Sequence, residues 1–135
     1  MKIEHEYLKG LLEAFEASDA PTTDIVKLKL AGFPYEDVRF IFHLRLLDDQ
    51  NLVQPEQGHS LGYTKGAGGH ELWSVVPLRL TASGHEFIEA LRNSEVWDTI
   101  KSEFADAAIG TLGRVGKELL ESLIKKKVTS LIGCL

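Results

Sequence analysis

A single cysteine, Cys134, in 135 residues leaves no intramolecular disulfide to form. There is no Cys/His cluster either, so structural zinc is not expected and no cofactor is implied. No run of about 18 apolar residues occurs, so no segment reads as a membrane-spanning helix. The opening residues, MKIEHEYLKGLLEAFEAS, are rich in glutamate and lack the apolar core of a signal peptide. Together these absences point to a reducing, cytoplasmic setting. Positive charge is also short: 15 Lys and Arg against 20 Asp and Glu give a net charge of -5. That balance weighs against wholesale nucleic-acid binding, whose sequence-independent part rests on cations meeting phosphates.

What is present is an ordinary globular composition, 44% hydrophobic and 26% charged. The length suits one domain with an appended helix. Ile3, Tyr7, Leu11 and Phe15 recur every fourth residue with Leu8 and Leu12 beside them, which predicts an amphipathic first helix ending near Ser18. In DIVKLKL, Val26, Leu28 and Leu30 alternate with Lys27 and Lys29, the period of a short strand. Pro34 suits the first position of a second helix, running from about Pro34 to Gln50 and largely apolar, with Glu36, Arg39 and His43 on its remaining stripe. Asn51 is placed to end it in the left-handed conformation.

The stretch from Leu52 to Leu80 reads as two strands joined by a long glycine-rich loop, and Pro77 implies an edge position for the second. Thr81 or Ser83 can cap the next helix, the latter forming a capping box with Glu86. Ser94 can cap the one after it, which carries Val96, Trp97, Ile100 and Phe104. Spaced like this, Trp97 reads as core rather than as a partner anchor.

Two motifs carry a resemblance. HLRLL (His43 to Leu47) and RLTASGHEF (Arg79 to Phe87), with the step from Arg92 to Trp97, resemble the bacterial and phage family called domain of unknown function 2513. The likeness covers roughly residues 1 to 105. It implies a winged-helix-like fold and no established chemistry, so function must be argued from the residues themselves.

No constellation of an enzyme is present. There is no His-Glu-x-x-His, no nucleophile elbow, and the loop GYTKGAGGHE leads into a strand where a phosphate-binding loop would open a helix. Read as a DNA-recognition helix, residues 34–50 would place Glu36 and Asp37 where phosphates lie, and only Arg39, His43, Arg45 and the wing residue Lys65 stand out as DNA contacts.

The C-terminal segment carries the strongest signal for a partner. Leu112, Val115, Leu119, Leu120, Leu123, Ile124, Val128, Leu131 and Ile132 fall at helical spacing, and residues 109–135 carry +3 while the rest carries -8. Such a stripe must be covered, by the body, by a second copy, or by a membrane surface facing Lys125, Lys126 and Lys127.

The expectation is therefore a mostly helical α+β chain. A winged-helix-like body with a long β-hairpin wing spans residues 1–108, and an amphipathic self-association helix spans 109–135. The expected role is a non-enzymatic interaction or regulatory module that binds itself and another protein. A dimeric DNA-binding regulator and a membrane-docking protein are the alternatives.

Overall fold

The computed structural model describes residues 1–133, so the reading of Cys134 lies outside the described residues. The chain divides into two compact units, Met1–His85 and a second from Glu86 onward. The expected boundary after residue 108 falls inside the second unit.

The first unit opens with α1 (His5–Glu16), which buries Leu8, Leu11, Leu12 and Phe15, the four-residue repeat read from the sequence. The segment DIVKLKL is not a strand but a helix, α2 (Ile25–Leu30). The carboxylate of Asp24 accepts from the N–H groups of Val26 and Lys27 at 2.9 and 3.0 Å, a strong N-cap. Ile25 and Leu28, three apart, are buried, while Val26 and Leu30 are 48% and 85% exposed. Six residues are too few to separate a period of two from one of 3.6, and the cap decides between them.

The extended backbone lies just upstream. Thr23 donates to the Leu78 carbonyl at 2.7 Å and accepts from the Leu78 N–H at 2.8 Å.

The helix expected from Pro34 begins later, as α3 (Val38–Asp49). Asp37 is its cap, accepting from the Arg39 N–H at 2.9 Å, and residues 34–37 form a turn. Asn51 ends it with φ +55°, as expected of an asparagine there. Strand β1 (Val53–Pro55) then pairs antiparallel with β4 (Leu78–Leu80), Val53 opposite Leu80. Because Thr23 joins the other side of Leu78, β4 lies between two neighbours, and the edge position inferred from Pro77 is corrected. Pro77 stands just before the strand, where its missing N–H is not needed. Between β1 and β4 the chain makes an inner hairpin, β2 (Tyr63–Lys65) and β3 (Glu71–Trp73), turned by Gly66 to Gly69.

The RLTASGHEF motif closes this unit. The Thr81 N–H donates to the Leu52 carbonyl at 3.0 Å, and the Thr81 hydroxyl donates to the Asn51 carbonyl at 2.6 Å. The same hydroxyl accepts from the Gly84 N–H at 3.0 Å, so Thr81, not Ser83, caps α4 (Ala82–Arg92). A side chain on Gly84 would stand 2.0 Å from the Leu52 carbonyl oxygen, so only glycine fits.

In the second unit, α5 (Ser94–Glu103) is capped by Asn93, not Ser94. The Asn93 amide oxygen accepts from the N–H groups of Glu95 and Val96. Val96, Trp97 and Ile100 are buried, so Trp97 is core. Helix α6 (Ile109–Gly133) packs on α5, and Gly116 lets it approach Phe87, Ala90 and Ile100. Its first half is therefore part of this unit rather than an appended helix.

Candidate interaction surfaces

The start of α3 is where a helix that enters a DNA groove offers its side chains. Here the cations are already held. The Arg39 guanidinium forks onto Asp37, Nη2 lying 2.8 Å from Oδ2 and Nε 3.2 Å from Oδ1, and Nη1 reaches Glu4 at 3.6 Å. It also lies 4.9 Å above the centre of the Tyr7 ring. These contacts hold the Asp37 carboxyl below its ordinary range and raise Arg39 above its own. Lys29 pairs with Glu36, which likewise lowers the Glu36 carboxyl. Arg45 lies 4.8 Å above the Tyr63 ring of the hairpin.

His43 was expected on the polar stripe and is instead inside, 0% exposed. Its Nε2 accepts from the Glu4 N–H at 3.0 Å, so it holds the backbone of the residue that starts α1, whose own side chain makes no cap bond. Its Nδ1 donates to the Arg39 carbonyl at 2.7 Å, which fixes a neutral tautomer. Burial pushes its pKa below 6.5. Tyr7 stacks against it at 4.7 Å, and burial, with Asp37 nearby, pushes the Tyr7 hydroxyl up to about 12. A side chain so enclosed cannot touch a duplex, which removes His43 from the four candidate contacts. Of the other three, Arg39 and Arg45 are engaged, and Lys65 stands exposed on β2 opposite Glu71.

The inner hairpin is tied to α3 by aromatic rings. Trp73 lies 5.7 Å from Tyr35, 5.6 Å from Phe40 and 4.9 Å from Tyr63. The Tyr63 hydroxyl donates to Glu71 at 3.1 Å. No local pattern links Trp73 to Phe40, so this nest was not legible in the sequence. The first unit also exposes aliphatic side chains: Val26, Leu30, Val38, Leu72 and Val75.

On α6 the nine candidate residues separate into two sets. Leu112 and Val115 are buried, and Leu119, Leu120 and Leu123 are half-buried. Ile124, Val128, Leu131 and Ile132 remain 50%, 46%, 61% and 63% exposed. At 3.6 residues per turn the exposed four point roughly 115° around the helix from the line of Ile109, Leu112, Gly116 and Leu123 that faces inward. The single stripe read from the sequence is two stripes, and Leu112 and Val115 are not free for a second copy.

The family model described as "Hypothetical protein (DUF2513)" matches residues 2–110. The chain belongs to this family. It is also 24% identical to an "Uncharacterized protein" of Haemophilus influenzae over 128 residues, which cover 92% of this chain and 99% of that protein. No solved structure matches it. Within the family's span, both motifs that carried the resemblance have structural work. HLRLL supplies the buried His43, Leu44 and Leu47, and within RLTASGHEF Thr81 ties the end of β4 to the residues that end α3.

Proposed function

We propose that this protein is a non-enzymatic interaction module, built on a winged-helix scaffold whose groove-facing helix is disabled for DNA. The order helix, Thr23 bridge, helix, helix, strand, hairpin, strand supports the scaffold. The observation that carries the function is the state of the cations at α3. Arg39 is forked onto Asp37 and Lys29 is paired with Glu36, so the residues that would meet phosphate are neutralised by their own neighbours. Between Pro34 and Gln50 four carboxylates face two arginines. Val26, Leu30 and Val38 stand exposed on the two helices of this motif, which suits a protein partner better than a polyanion.

Of the bacterial and phage settings expected, the Haemophilus relative favours the bacterial one. A cytoplasmic location fits a chain in which, among the described residues, no helix is long and apolar enough to cross a membrane. Self-association through α6 has less to stand on than the sequence suggested, because the surface left for it is four exposed residues and the edge of Leu120.

The test is binding to random and mixed-sequence duplexes at low salt, followed by fluorescence anisotropy. The proposal expects no complex in the nanomolar range. A tight complex that dissolves as salt is added would overturn it. In that case Arg45 and Lys65 become the contacts of a DNA-binding regulator, and Lys65→Ala should weaken binding and flatten the salt slope.

A further inference from the structure

We infer that the C-terminal half of α6 docks reversibly on an anionic lipid surface, an assignment that does not depend on how the first unit is used. Ile124, Val128, Leu131 and Ile132 are each about half exposed or more and share one side of the helix. By helical spacing, Lys125 falls at one edge of that side and Lys127 at the other, with Lys126 behind. An apolar strip bracketed by lysines is the arrangement of a helix lying in a membrane interface, its aliphatic face among acyl chains and its ammonium groups at the headgroups. Glu121 lies on the same side one turn earlier and marks where the strip ends.

The charge distribution selects the surface. Residues 109–135 carry +3 in a chain of net -5, and two of those cations, Lys125 and Lys127, flank the exposed strip. An anionic headgroup layer attracts juxtaposed lysines additively.

A second copy of the same helix fits less well on two counts. Four partly exposed aliphatic side chains supply far less than the ~800 Å² per partner of a standard interface. Such a pairing would also line Lys125 and Lys127 of both chains along one seam, like charge against like. No helix among the described residues can cross a bilayer, so the contact lies on the surface.

The experiment is co-sedimentation of the full chain with phosphatidylcholine vesicles, with and without phosphatidylserine, at low and high salt. Size exclusion with light scattering on the same samples reports the assembly state. The expected result is sedimentation with the phosphatidylserine vesicles alone, reversed by salt, from a monomer in solution. Lys125→Glu with Lys127→Glu, and separately Ile124→Ser with Leu131→Ser, should each weaken partition on the order of tenfold or more. All four positions are exposed, so the helical circular dichroism of both variants should match the parent. If the chain stays in the supernatant at low salt, the inference fails. It fails equally if the parent is a dimer that Ile124→Ser with Leu131→Ser splits, in which case a second copy covers the strip.

Discussion

Replacing Gly84 with alanine adds one methyl group at the junction that the RLTASGHEF motif builds, and its cost can be worked from the geometry. The new Cβ would stand 2.0 Å from the Leu52 carbonyl oxygen and 3.0 Å from a Leu80 methyl. Carbon contacts are comfortable near 3.5 Å, so backbone must retreat by roughly 1 Å or more. That carbonyl is the acceptor for the Thr81 N–H at 3.0 Å. Moving it loses a bond of about 1 kcal/mol net, and forcing a methyl into packed surroundings costs about 1–3 kcal/mol more. The sum is about 2–4 kcal/mol, a large share of a typical total stability of about 5–15 kcal/mol.

Urea unfolding followed by circular dichroism should show the midpoint falling without a change in slope, and the melting temperature should drop by roughly 10 °C. Gly113→Ala is the control. A Cβ there meets nothing within 4 Å, in the body of α6, so the same chemical change should stabilise by about 0.5–1 kcal/mol. If Gly84→Ala unfolds within about 0.5 kcal/mol of the parent, the close approach to Leu52 is wrong, and with it the structural account of the motif.

Three further outcomes are expected. Glu36→Gln combined with Asp37→Asn should keep the α3 cap, since asparagine caps well, while releasing Lys29 and Arg39. That variant should bind random duplex more tightly at low salt than the parent does, and equal affinity would show that these carboxylates are not what repels DNA. His43 predicts a pH dependence. Burial lowers its folded pKa below the unfolded 6.5, so below pH 6.5 the unfolded chain binds a proton that the folded chain refuses. Its stabilising contribution is therefore present above pH 6.5 and lost as pH falls toward the folded pKa, by no more than about 1.4 kcal/mol per pH unit. In urea titrations between pH 7.5 and 5.5, His43→Gln should flatten this slope, and parallel curves would contradict the assignment. Asn93→Ala should cost about 1 kcal/mol through loss of the α5 cap, read as a lower thermal midpoint. Ser94→Ala should do little, and the reverse order would restore Ser94 as the cap.

Which features were legible in the sequence follows from the range of the interactions that decide them. Helix α1 was readable because its apolar residues alone fix which side is buried. Asn51 was readable because a positive φ is a local demand that few residues meet. The segment DIVKLKL is ambiguous because six residues satisfy a strand and a helix alike, and only the cap made by Asp24 separates them. His43 misled for a different reason. Its spacing with Glu36 and Arg39 placed it on a polar stripe, yet its acceptor role is set by the Glu4 N–H, 39 residues away. Trp73 is the same case, with a setting made by Tyr35 and Phe40, more than 30 residues earlier in the chain.

The tail shows why periodicity alone cannot assign a partner. From Leu112 to Ile132 every apolar residue keeps a spacing of three, four or one, so the sequence presents one continuous amphipathic helix. Steps of four lag the helical repeat and carry a line of residues around the axis. Leu112, Leu119 and Leu123 stay on the side that α5 covers, whereas Leu120, Ile124 and Val128 step away from it at each turn. The covered apolar side chains of α6 thus end by Leu123, and from Ile124 onward the aliphatic ones are about half exposed or more. The exposed aliphatic strip, flanked by lysines in an otherwise acidic protein, is the surface on which the lipid-docking proposal rests.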